Sequence, residues 1–501
     1  MIKVGFITNY FIFLFSKSKQ PPIRTLKKTV RWVIGIILGI YIGTIILLNI
    51  PYIQRNMTTF VTKELSRTLG TELTIGKIDI GLLNRIIIDD VLLDDQSGKE
   101  MLKITRLSAK FDIIPLFNGK ITISSVQLFG FNINLNKPAP HMEPNFKFVL
   151  DAFASKDTVK TKKDIDLRIN SILIRRGKLS YDVLSEEETP GKFNPQHIKL
   201  HNIIANISLK ALQNDSVNAA IKRLSVDEQS GFELRKLSLK VIANNKGMKI
   251  ENFAIEMPGT EMKMDTIRME YDSLKALNHF ADNVRFSFRT LPSHVTLNDI
   301  SAFVPALSNF KEKLDLNIDV EGTLNQLNCR TLEINAGDKF RLKGDVSLQD
   351  LSRPQDAYVY GHLANLSANK EGIGFLVRNL SPHYNGVPPV LQHLGNTSFH
   401  GEISGYFTDL VMYGLFRTDI GSVQTDLKLS SDKAKALFSY SGGVKTTDFE
   451  LGQLLGNKQL GKITFNLDVR GNHYTVFHGD LLDTVCTAER AFHGTFDTAF
   501  A

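Results

Sequence analysis

The sequence predicts a mainly β protein: an N-terminal transmembrane helix followed by an elongated, curved β-sheet groove, a half-pipe or taco-like trough, with short helical insertions. Three observations predict it. One uncharged stretch near the N-terminus is long enough to cross a bilayer. After residue 70 the hydrophobic period drops from helical to alternating. An apolar-x-apolar-x-x-apolar-x-apolar pattern then recurs, in which the alternation slips by one residue.

The first element is the anchor. No charge interrupts Trp32 to Ile53, and Trp32 and Tyr52 place amphipathic rings near its two ends. Residues 1–31 carry Lys3, Lys17, Lys19, Arg24, Lys27, Lys28 and Arg31 and no acid, which accounts for seven of the chain's eight net positive charges. The positive-inside rule therefore predicts a basic cytoplasmic segment over 1–31, a transmembrane signal-anchor over 32–53, and a body beyond the cytoplasm. The exit LLNIPYIQ has no small-x-small cleavage site, which favours an uncleaved anchor over a signal peptide. Residues 4–15 form a second apolar stretch, too short to span; it lies at the interface or upstream of the natural start. Gly35, Gly39 and Gly43 recur every four residues, a face on which another transmembrane helix would approach closely.

The second element is an amphipathic helix over 54–70, with Ile53, Met57, Phe60, Val61, Leu65 and Leu69 near one face and Gly70 as its stop. Strand sequence follows. The slipping pattern appears at Leu73-Ile75-Ile78-Ile80, Ile121-Ile123-Val126-Leu128, Leu167-Ile169-Ile172-Ile174, Phe232-Leu234-Leu237-Leu239 and Met248-Ile250-Phe253-Ile255. Looser copies begin at Leu102 and Ile198. A one-residue slip sends the apolar set to the opposite face, and a bulge or sharp corner returns it. The expected product is a bent sheet with one continuous apolar face, divided into a groove over 71–290 and continuing groove repeats over 291–476. Helical interruptions are expected at 144–154 and 291–310, with a charged loop at 155–164. LDLNIDVEG (314–322) recurs as ITFNLDVRG (463–471), and Gly322, Gly405 and Gly471 each precede an apolar residue by five positions. Such repetition argues for an extended architecture. The stretch 477–501 loses the alternation and reads as irregular, the end of a truncated or fragmentary chain.

The sequence offers little chemistry. It contains no metalloprotease, nucleophile-elbow, phosphate-loop or dinucleotide motif. Beyond residue 31 the body is electrically balanced and has no basic excess for nucleic acid. Cys329 and Cys486 are two isolated thiols or one long-range disulfide. His197 and His201 have a metal-binding spacing only on a helix and sit in strand sequence, so they read as surface histidines. Asp89-Asp90 and Asp94-Asp95 are a Ca²⁺ or acid–base pair of carboxylates, or a solvated turn beside a strand. No catalytic residue, metal or cofactor is expected, and the chain does not read as an enzyme.

Residues 33–136 resemble the AsmA-like superfamily, its TamB branch (translocation and assembly module) in particular, through the anchor, GTELTIGKIDIGLLNRIIIDDVLLDD and MLKITRLSAKFDIIPLFNGKITISSVQLFGFNINL. DFELGQLLGNKQLGKITFNLDVRG (448–471) is similar to the same branch. The resemblance implies a single-pass inner-membrane protein whose periplasmic groove carries phospholipid between the inner and outer membranes, or supports outer-membrane protein assembly and secretion with a β-barrel partner. Members of the branch are longer and end in a domain that meets that partner. Such a domain does not appear in this sequence. The residue pattern fits a lipid groove by itself, because an apolar trough would shield acyl chains worth about 0.8 kcal/mol per CH₂. Candidate lining residues are Ile75, Ile78, Ile104, Ile121, Ile123, Leu128, Ile133, Leu167 and Ile169. The expected partners are phospholipid or another lipid, the inner membrane, an outer-membrane β-barrel, and a second inner-membrane protein on the glycine face. Two other readings compete: a scaffold that binds proteins through β edges without lipid, and an extracytoplasmic β-solenoid enzyme.

Overall fold

The structure, a computed structural model, describes residues 23–81, 84–112, 122–153, 168–213, 216–353, 356–380, 389–432, 437–472, 474–482 and 490–496. Its helices are α1 (Ile23–Leu48), α2 (Pro51–Leu69), α3 (Lys147–Phe153), α4 (Phe280–Asn283), α5 (Lys370–Leu380), α6 (Pro389–His393) and α7 (Leu451–Leu455). The first strands are β1 (Leu73–Gly81), β2 (Arg85–Asp94), β3 (Glu100–Phe111), β4 (Thr122–Lys137), β5 (Arg168–Ile169), β6 (Ser171–Val183), β7 (His197–Gln213) and β8 (Ser216–Glu228). Then come β9 (Glu233–Ala243), β10 (Gly247–Glu256), β11 (Glu261–Glu270), β12 (Arg285–Arg289), β13 (Ser293–Val295), β14 (Leu314–Thr323), β15 (Gln326–Ala336) and β16 (Phe340–Gln349). The last are β17 (Tyr358–Ala368), β18 (Thr397–Tyr406), β19 (Asp409–Thr418), β20 (Gly421–Asp432), β21 (Leu437–Glu450), β22 (Lys462–Asn472), β23 (Tyr474–Leu482) and β24 (Arg490–Phe496).

All of these strands join one sheet, so the fold is mainly β, as the alternation predicts. It is a meander in chain order with two departures. β4 runs parallel to β5 and β6, which demands a crossover, and α3 lies in that connection. β12 and β13 share one position between β11 and β14. At about 4.8 Å per strand the sheet extends on the order of 100 Å along its hydrogen-bonding direction.

The apolar helix is α1. Val30–Leu47 has a mean hydropathy of 2.2 and is unburied by the rest of the chain. It stops at Leu48, short of the expected Ile53, because Ile50 precedes a proline and is extended, and Pro51 begins α2. Gly70 closes α2 in the left-handed conformation, φ 68°, donating to the Ser66 carbonyl.

α2 lies along β1 and answers its outward backbone groups. Asn49 Nδ2 donates to the Ile80 carbonyl (2.6 Å), the Ile78 N–H donates to Thr58 Oγ1 (3.2 Å), and the Leu73 N–H donates to Ser66 Oγ (3.1 Å). Buried Gln54 bridges Asn49 and Asp79. This edge of the sheet is therefore occupied by a helix rather than open. The inward stripe is Gln54, Met57, Val61, Leu65 and Leu69; Phe60, expected on it, is 71% exposed because it falls to the side of that stripe.

The slips predicted in the first strands resolve as a corner. Ile75 pairs with Val91 and Lys77 with Asp89; Asp89 pairs with Arg106, Arg106 with Phe129, and Phe129 with Arg175. Gly76, Asp90, Thr105, Gly130 and Arg176 thus fall on one line across the strands. Asp90, Gly130 and Arg176 on it have φ of 54°, 61° and 55°. Beyond it the slips become bulges, at Asn202 against β8 and Asn252 against β9, again with positive φ. The apolar side chains stay on one side throughout: Ile75 and Ile78, Val91 and Ile88, Ile104 and Leu107, and Phe131 and Leu128 share one cluster.

Other expectations meet the structure unevenly. α3 occupies 147–153 inside the predicted helix, and the charged loop 155–164 lies outside the described residues, as do residues 1–22. The insertion 291–310 is β13 with two 3₁₀ turns, not one helix. β23 and β24 occupy much of 477–501, because β22 supplies a pairing template that the local alternation does not announce. Gly322 and Gly405 sit directly across hairpins from Leu327 and Leu410; a Cβ on either would stand 2.1 or 2.2 Å from a carbonyl oxygen.

Candidate functional site: an uncovered apolar sheet face

The apolar face is covered in some places and bare in others. Over β1–β4, α2 and α3 close it: Ile75, Ile78 and Ile104 are 8%, 4% and 8% exposed, in one core with Leu69 and Phe148. Any ligand at these three positions would first have to displace α2. Ile123, Leu128, Ile133 and Ile169 are half-buried. Ile121 and Leu167 lie outside the described residues. A second core, under α5, gathers Leu314, Phe340, Ile373 and Phe375. A third, near α6 and α7, gathers Leu394, Ile420 and Phe449.

Between the first and second cores the face continues over β8–β11, where among the described residues it joins none of the three buried clusters. Val241, Ile250 and Ile267 form one cross-strand row, Leu237, Ile255 and Met262 another, with Phe253 opposite Met264 between them. All but Ile267 are half-buried. Leu237, Ile250, Phe253 and Ile255 belong to slipping copies the sequence displays, yet which part of the face stays outside the helix-covered cores could not be read there, because it depends on where the helices pack. The opposite face here is polar: Lys240 and Lys249 both bond Glu251, at 2.7 and 2.6 Å. Those two ammonium groups hold the Glu251 carboxyl down to about 2.

The carboxylate and histidine candidates turn out to be structural. Asp89 pairs with Arg106 through two bonds (2.6 and 3.0 Å), and Asp90 is the corner residue. Asp95 is buried. Burial raises its carboxyl, but bonds from Ser97, Lys99 and Asn145 outweigh it and hold the group below the usual range. It organises a turn rather than acting with Asp94 as a pair. His201 is exposed, whereas His197 is buried, with Nδ1 3.0 Å from Asp182 and Nε2 3.0 Å from the Glu186 carbonyl. Asp182, Glu188 and His197 approach closely enough to share a cation. Lys199 already supplies one, pairing with Glu188 at 3.0 Å and lowering that carboxyl. Cys329 is a free buried thiol, raised by that burial, and Cys486 lies outside the described residues. Among the described residues nothing lies within 4 Å of a Cβ added at Gly35, Gly39 or Gly43, so they leave the close-approach face of α1 open.

No family model matches the chain, and neither curated proteins nor solved structures yield a match.

Proposed function

We propose that this is a membrane-anchored periplasmic protein of envelope biogenesis that holds lipid acyl chains against its apolar sheet face, for phospholipid transport between inner and outer membranes and/or support of outer-membrane protein assembly. The observation that carries the reading is the half-buried row over β8–β11, apolar surface that among the described residues belongs to none of the three buried clusters. A contiguous, half-buried apolar surface of this kind fits a binding face. The span of the sheet suits passage along its length, and α1 supplies attachment at one end.

The test is lipid retention. The full chain, extracted in mild detergent, should copurify phospholipid that mass spectrometry detects. Phe253→Asp puts a charge in the middle of the bare row and should abolish retention while circular dichroism stays β-rich. Wild-type lipid content in that variant would end the conduit reading. At the β1 edge the scaffold reading draws less support, since α2 already occupies it.

A further inference from the structure

On the face opposite the apolar row, beside the anchor, the first strands form a cleft of about 470 Å³ lined by Arg85, Ile87, Ser108, Gln127 and Phe129, with the Asp89–Arg106 pair and Asp90 along it. Three features of this cleft and of its border, where Lys110 adjoins Arg85 outside the lining, are unexplained by folding. Arg85 and Lys110 stand directly opposite each other on adjacent strands, on the same face. Among the described residues neither makes an ion pair. Like charges so placed are destabilising. Ser108, two residues from Lys110 on that face, is 5% exposed, and among the described residues its hydroxyl has no hydrogen-bond partner. A buried hydroxyl left unmade costs free energy that a native fold rarely accepts without reason.

The position supplies the reason. Asn84, next to Arg85, accepts a hydrogen bond from Tyr41 of α1 at 3.4 Å, and Tyr41 lies inside the apolar window Val30–Leu47. At about 1.5 Å per residue, Tyr41 sits roughly 10 Å back from the end of α1. Arg85 therefore emerges beside the membrane-spanning segment. A cation at that level reaches for the headgroup layer. We propose that Arg85, Lys110 and Ser108 bind the phosphate of a membrane phospholipid. The two cations neutralise it, the hydroxyl donates to it, and Ile87 and Phe129 border its glycerol end. This assignment rests on α1 lying in a bilayer and is independent of lipid on the opposite face.

The experiment uses the full chain with a benzophenone side chain in place of Ile87. It is reconstituted in phosphatidylcholine vesicles carrying equal small fractions of phosphatidylglycerol and diacylglycerol, illuminated, and its adducts weighed. Charge-assisted bonds of ordinary strength predict about a tenfold excess of phosphatidylglycerol over diacylglycerol adducts. Arg85→Gln with Lys110→Gln should bring the ratio to about one. Ser108→Ala should lower it while raising thermal stability. A wild-type ratio near one, or a ratio unmoved in the double variant, overturns the proposal. So does a Ser108→Ala chain that gains stability but keeps the full ratio, since the hydroxyl would then be only a packing defect. Loss of the phosphatidylglycerol adducts on adding inorganic phosphate assigns the site to a soluble anion and overturns the lipid assignment. None of these outcomes depends on Phe253, so failure here leaves the apolar-face reading standing.

Discussion

Replacing Asn252 tests whether the bends of this sheet are written into single backbone positions. Its side chain is exposed and, among the described residues, makes no hydrogen bond, yet its φ is 54° and it forms the bulge that keeps Ile250, Phe253 and Ile255 on one face. Substitution there changes backbone preference and almost nothing else. Glycine adopts this conformation freely, and the entropy it adds to the unfolded chain offsets the relief, so Asn252→Gly should stay within about 0.5 kcal/mol of wild type. Alanine meets the left-handed penalty and should cost about 1 kcal/mol. Valine, β-branched, should cost about 2 kcal/mol. Hydrogen exchange reads these locally: at 1.4 kcal/mol per decade, amides of β9–β11 should exchange about fivefold faster in the alanine variant and about thirtyfold faster in the valine variant. If valine leaves exchange unchanged, or glycine accelerates it as much as valine does, positive φ is not what sets the bend.

Three further outcomes follow from the same geometry. A methyl group on Gly177 would stand 2.4 Å from the Phe131 ring, so Gly177→Ala should cost about 1–3 kcal/mol in urea unfolding, and Phe131→Leu should recover part of it. The Glu251 carboxyl falls from its usual value to about 2, so its stabilisation is complete above about pH 4.5 and disappears as the pH drops through about 2. Glu251→Gln should flatten acid unfolding over that window, as followed by circular dichroism. Asn49→Ala strips the Ile80 carbonyl of a donor and buried Gln54 of an acceptor, a loss of about 1–3 kcal/mol that should appear as faster exchange in β1.

The long apolar helix was legible because a run without charges from Trp32 onward admits few structures. The bends were legible because a period-two pattern cannot slip without a backbone device, and Asn202, Asn252, Asp90 and Gly130 are residue types that tolerate it. What covers the apolar face was not legible. Ile78 and Phe253 hold the same place in the repeat, yet the first is buried in the core under α2 and the second is half-buried. The burial of His197 and the opposition of Arg85 to Lys110 likewise depend on register between strands, which no single segment encodes.

The helix laid against β1 gives the sheet a polarity of construction. With that margin sealed, further strands pair only on the far side, each one templated by the last. Such a body is lengthened by inserting whole hairpins without redesigning its beginning, which makes reach an adjustable quantity and leaves attachment constant.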